Sequence, residues 1–82
     1  MARVLIPGLL AVQAGGQKEF EVDGATLGDA LRALPIADLL FDERGDLREL
    51  VNPFVDKQLA RDLSTPVAAG TQIRIVAAIA GG

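Results

Sequence analysis

Thr71-Gln72-Ile73-Arg74-Ile75-Val76-Ala77-Ala78-Ile79-Ala80-Gly81-Gly82 is an alternating run that passes into an uncharged tail and closes on two glycines. Ile73, Ile75 and Ala77 share one face of an extended segment, and Gln72, Arg74 and Val76 share the other, the period-2 pattern of a strand buried on one side. Beyond Ala77 the pattern fades. Ala78 to Gly82 carries nothing long, charged or aromatic, so the run predicts a folded domain over 1–77 and a slender tail over 78–82. Five extended residues reach about 16 to 18 Å, enough to set a carboxylate deep in another protein's active site. Loose ends made of small residues are common. At a glycine usage of about 7%, two closing glycines arise by chance in roughly one chain in two hundred.

Working outward, a strand that is buried on one face needs partners, and the chain supplies them. Arg3 to Ile6 reads as a first strand, and Phe20 and Val22, set between Glu19, Glu21 and Asp23, as a second that pairs with it as a hairpin. Ala14-Gly15-Gly16-Gln17 provides the reversal; as a phosphate cradle it lacks both the P-loop lysine pattern and a helix start. Thr26-Leu27-Gly28-Asp29 opens a helix, with Thr26 as cap and Asp29 near the positive dipole end. Leu27, Ala30, Leu31 and Leu34 make its apolar face, and Pro35 ends it. Ile36, Leu39 and Leu40 repeat the helical spacing for one turn.

Asp42-Glu43-Arg44-Gly45-Asp46 reads as a solvated loop whose acids are also a candidate contact for a basic partner. Leu47 to Val55 is predicted to be extended, with Val51 and Val55 on one face and Leu50, Asn52 and Phe54 on the other. Pro53 must then stand where its missing N–H faces an unpaired side or a bulge. Asp56-Lys57 turns the chain into a short strand around Gln58 to Ala60, and Arg61 to Ala69 connects it to the last strand. The order predicts an α+β fold: a mixed sheet covered on one face by a helix, with first and last strands parallel at the centre.

Composition narrows the function. The 82 residues carry 11 acids and 8 bases, scattered, for a net charge of -3, with no Tyr or Trp and only 3 Phe. Without a basic stripe or stacking aromatics, no nucleic-acid partner is expected. Cysteine and histidine are absent, which removes thiol nucleophiles, disulfides, thiolate or imidazole metal sites and the commonest general base. No paired-carboxylate or calcium-loop spacing replaces them, so neither a catalytic residue nor a metal site is expected, and the chain is not read as an enzyme. Arg3 and the apolar run to Val12 mimic a signal peptide, but Pro7 and Gly8 interrupt it, and it is too short for a membrane span. The expectation is a cytoplasmic protein, monomeric when alone, with no membrane partner.

Nearly the whole chain resembles the ubiquitin-like β-grasp sulfur carriers, the family of MoaD, ThiS and CysO, and the CysO-like members above all. The likeness rests on Gly15-Gly16-Gln17-Lys18, Thr26-Leu27-Gly28, Arg48 to Val55, Arg61, Gly70-Thr71 and Ala80-Gly81-Gly82. Many members place a proline shortly before the terminal glycines, whereas Val76-Ala77-Ala78-Ile79 has none. The resemblance implies that an adenylating enzyme of the E1 type, similar to MoeB or ThiF, activates Gly82 with ATP and converts it to a thiocarboxylate. It implies no permanently bound cofactor, threading of Ala80 and Gly81 into the partner, and a sulfur-acceptor enzyme of cysteine, thiosugar, thiamine or molybdopterin synthesis. Phe54, Arg74 and Val76 are the candidate docking residues, with Phe54 equally readable as core. A noncovalent ubiquitin-like module, or a modifier joined to lysines through the same terminus, are the alternative functions.

Overall fold

The structure, a computed structural model, describes residues 1–77, so the tail expected over 78–82 lies outside the described residues. Strand β1 (Ala2–Leu5) leads through helix α1 (Gly8–Ala11) and a 3-10 turn (Val12–Ala14) to β2 (Glu19–Val22). Helices α2 (Leu27–Arg32) and α3 (Ala37–Leu40), then β3 (Val51–Val55), β4 (Gln58–Leu59) and β5 (Gln72–Ala77), complete the order. The strands form one mixed sheet ordered β2-β1-β5-β3-β4. β1 and β5 are parallel, with Val4 opposite Ile73; the other neighbours are antiparallel. This is the predicted central parallel pair.

One face of the sheet is buried under the helices. Ala2, Val4, Ile73 and Ile75 point inward, as does Pro53, and meet Leu27, Ala30, Leu31 and Leu40. The Thr26 hydroxyl accepts from the Asp29 N–H at 3.2 Å, so the helix starts where the sequence places it. It stops at Arg32, two residues earlier than the apolar spacing suggests, because Leu34 donates back to Leu31 in a tightened turn before Pro35. Gly28 is buried against the loop after β4: its N–H donates to the Leu63 carbonyl, and a Cβ there would lie 3.2 Å from Leu63 Cβ.

Two stretches differ from expectation. The link between β1 and β2 is helical rather than a plain reversal: the Pro7 carbonyl accepts from Leu10 and Ala11, Ala11 is buried, and Gly15 ends the turn in the left-handed region at φ 71°. The extended run is broken: Leu47 forms only an isolated antiparallel bridge with Phe41, Glu49 and Leu50 turn, and β3 begins only at Val51. The cause is Arg61. Its guanidinium donates to the Val51 carbonyl, to Asn52 Oδ1 at 3.1 Å, to the Arg48 carbonyl at 3.1 Å and to the Leu47 carbonyl at 3.5 Å, gathering a bend that a straight strand would not present.

Pro53 also finds its place. Ala60 donates to the Pro53 carbonyl, and the reciprocal bond of an antiparallel pair would need a proline N–H, so the short β4 ladder ends there. Asp56 and Lys57 take φ of 48° and 74°, the two positive values of a two-residue hairpin turn.

Leu31→Ala should cost about 2 to 5 kcal/mol in a urea titration as a buried large-to-small change. A loss below about 0.5 kcal/mol would contradict its place in the core. Arg61→Lys should cost about 1 to 3 kcal/mol, since an ammonium cannot span the same acceptors as a planar fork. Stability equal to the parent would show that the bend holds without the fork.

Candidate functional site

Among the described residues the second face of the sheet carries no helix, and its side chains follow from the strand register. Leu5 stands opposite Arg74, Arg74 opposite Phe54, and Phe54 opposite Leu59, so four strands contribute one continuous row. Glu19 of β2, opposite Leu5, completes it. Phe54 therefore lies on the open face and outside the buried core: Val51 and Pro53 of the same strand are buried while it is half-buried. Val76 lies one step toward the end of β5, opposite Asn52, and is 42% exposed; Leu59 is 55% exposed.

Phe54, Arg74 and Val76, the three candidate docking residues, thus line a single groove of about 310 Å3 together with Asp56, Lys57 and Gln72. A second depression of about 210 Å3 lies across Arg74 and Val76, between Leu5–Pro7 and the end of β5. Leu5 and Leu59 escaped the sequence reading. The alternation Arg3/Leu5 and the turn at Asp56-Lys57 carried the signal, but only the register shows that both leucines fall in line with Phe54.

The electrostatics of this face are sparse. Arg3 and Glu19 pair at 2.9 Å, both about half exposed, a surface contact worth roughly 0 to 1 kcal/mol. Asp56 is engaged within the fold: its N–H donates to the Gln72 carbonyl at 3.0 Å and its Oδ1 accepts from the Gln72 N–H at 3.3 Å. Among the described residues no carboxylate forms an ion pair with Arg74. The patch is thus an apolar row with a cation at its centre.

The acidic loop is held together by its own first member. Asp42 Oδ1 accepts from the backbone N–H groups of Arg44 and Asp46, and the bond from Asp46 is the main cause holding this carboxyl below its ordinary range. Among the described residues no group of three His, Cys, Asp or Glu side chains is placed to hold a metal ion, and no helix is long and apolar enough to cross a membrane. Ala80, Gly81 and Gly82, the residues expected to thread and to react, lie outside the described residues.

Comparison with known proteins adds to this geometry. The ThiS family model matches residues 4–82. The sulfur carrier protein CysO of Mycobacterium tuberculosis is 35% identical over 96% of both chains. The crystal structure of CysO from that organism superposes with a TM-score of 0.85 at 31% identity, covering 96% of this chain and 100% of the other. CysO in the BexX/CysO complex of Amycolatopsis orientalis gives 0.85 at 30% identity over 100% of both chains. The structure of small archaeal modifier protein 1 from Haloferax volcanii gives 0.79 at 31% identity, covering 99% and 98%.

If this row is a docking surface, Phe54→Ala and Arg74→Glu should each weaken binding to a ThiF-like adenylating enzyme used as probe about tenfold or more, while the thermal midpoint of each variant shows a retained fold. Titration calorimetry that returns parental affinity for both would dismiss the row as a docking surface.

Proposed function

This chain belongs to the ThiS family, and from that membership we propose that it is a sulfur carrier whose Gly82 carboxylate is the reactive group. The observation that carries the reading is the family match itself, which runs through to the closing Gly81-Gly82. The chemistry gives that ending a purpose. An α-carboxylate has a reference pKa of about 3.3 to 3.7, so at neutral pH it is an anion and a poor electrophile. An adenylating enzyme of the MoeB or ThiF kind supplies ATP; a Gly82 oxygen attacks the α-phosphate, and pyrophosphate leaves. Hydrosulfide then attacks the acyl carbon, the C–S bond forms as the bond to AMP breaks, and a proton is released with AMP. Gly82 ends as a thiocarboxylate that an acceptor enzyme consumes.

This chain's own contribution is placement. A sequence without Cys or His offers no competing thiol or imidazole to the adenylate. Glycine at 81 and 82 leaves a main chain that a narrow channel accepts. The open sheet face gives the partner a surface to hold while Ala80 and Gly81 enter its site. ATP belongs to the partner, and the acceptor is a biosynthetic enzyme of cysteine, thiosugar, thiamine or molybdopterin formation. Likeness to small archaeal modifier protein 1 supports a second reading, in which the same activated Gly82 is joined to a lysine amine.

Deleting Gly82 should leave the thermal midpoint unchanged, because the buried core among the described residues lies within Ala2–Ile75. It should lower thiocarboxylate formation by about 100-fold or more, since the reactive carbonyl moves by roughly 3.3 to 3.6 Å. The readouts are AMP release with the adenylating enzyme and sulfide, and the intact mass of the product. Sulfurisation of the truncated chain at the parental rate would remove Gly82 from the mechanism; an isopeptide-linked product in place of the thiocarboxylate would favour the modifier.

A further inference from the structure

Among the described residues the edge of β5 beside β1 is left unpaired at its end. Arg3 donates to the Thr71 carbonyl, and Ile6, on the other edge of β1, donates to Lys18. Odd residues of β1 therefore face β5, and the parallel ladder next asks residue 7 to donate to the Ile75 carbonyl and to accept from the Ala77 N–H. Residue 7 is proline and has no N–H. Its carbonyl is already engaged by the N–H groups of Leu10 and Ala11, at 3.0 and 2.9 Å. The start of α1 thus withdraws both groups that would have continued the ladder. β3 does not serve these atoms either, because it meets β5 through the even residues, as the Asp56 to Gln72 bond shows. The vacated space is the depression of about 210 Å3 between Leu5–Pro7 and Arg74–Ala77.

We propose that the Ile75 carbonyl and the Ala77 N–H form a strand-addition site filled by an extended segment of the enzyme that processes the C-terminus. The partner's identity rests on the carrier reading; the open edge does not. Gly82 lies only five residues beyond Ala77, so an enzyme whose active site holds Gly82 has its own chain within about 18 Å of this edge. An edge with one acceptor and one donor, two residues apart, fits one residue of such a segment, and main-chain bonds ask nothing of its side chains. Fixing Ala77 in this way fixes where the tail begins, which converts a loose approach of the carboxylate into a positioned one.

The test replaces the donor alone. Ala77→Pro removes an N–H that β3 does not use, and a semisynthetic chain with an ester in place of the amide at residue 77 removes it without a ring. Binding of each to the host's ThiF-like adenylating enzyme is measured by calorimetry, beside amide exchange at Ala77 in the intact chain, free and complexed. The expected result is affinity lowered about tenfold in both variants, an unchanged thermal midpoint for the ester, and an Ala77 amide protected only in the complex. Parental affinity of the ester with an unprotected Ala77 amide would overturn the edge while leaving the carrier reading intact if sulfurisation proceeds. A protected amide in a complex that yields no thiocarboxylate would retain the edge and remove the carrier. Protection in the free chain that rises with its concentration assigns the edge to a second copy and overturns the proposal, as does the absence of any complex.

Discussion

The parallel pairing of β1 with β5 is the constraint on which the remaining structure depends. It joins the first strand of the chain to the last, so the whole intervening sequence is a closed loop, and its closure must be offset by what the pair buries. Val4, Ile73 and Ile75 do this, each buried against the helices between. Parallel strands cannot be joined by a tight turn, and here the connection runs through α1, β2, α2, α3 and the β3–β4 hairpin. The outer strands β2, β3 and β4 then add by antiparallel contacts that are short in sequence or lie beside an edge already made.

Placing β5 at the centre gives one strand two duties. Its inward isoleucines hold the core, while its outward Arg74 and Val76 occupy the middle of the open face. Any slip of register that exposed Ile73 would bury Arg74 without a counter-ion, so the core protects the geometry of the outer row. The same row argues against pairing of two copies face to face. A two-fold axis through its centre sets Arg74 against Arg74 in a desolvated contact, and like charges there are costly. A different protein that presented a carboxylate amid apolar side chains would meet the patch without that penalty.

Local signals were legible in the sequence and distant ones were not. The alternation from Ile73 to Ala77, the Thr26 cap and the Asp56-Lys57 reversal each depend on neighbours within a few residues, and each stands where it was read. Phe54 could not be assigned to a face, because one residue of slip inverts a strand; it took the pairing of Phe54 with Arg74 to decide. Arg61 had no local signature at all, since its acceptors lie 9 to 14 residues earlier in the chain. The α1 turn was hidden by Pro7 and Gly8, which read as breakers. In the fold Pro7 serves as the cap whose carbonyl starts the helix.

Pro7 links the fold to the terminus. A residue with an N–H at this position would let β1 continue beside β5 and cover Ile75 and Ala77 with this chain's own backbone. The sheet would gain hydrogen bonds, and the last residues of β5 would be committed on both edges before any partner arrived. Proline prevents that, and α1 then consumes the one acceptor proline retains. The registered pairing of β1 with β5 thus ends at Arg74, while β3 still pairs with Val76 and Ala77 from the other edge. A strand end that is paired on one edge and unpaired on the other among the described residues keeps its direction and leaves that edge to another backbone. For a chain whose reactive atom is expected on the main chain, that asymmetry is of more use than the hydrogen bonds a longer β1 would add.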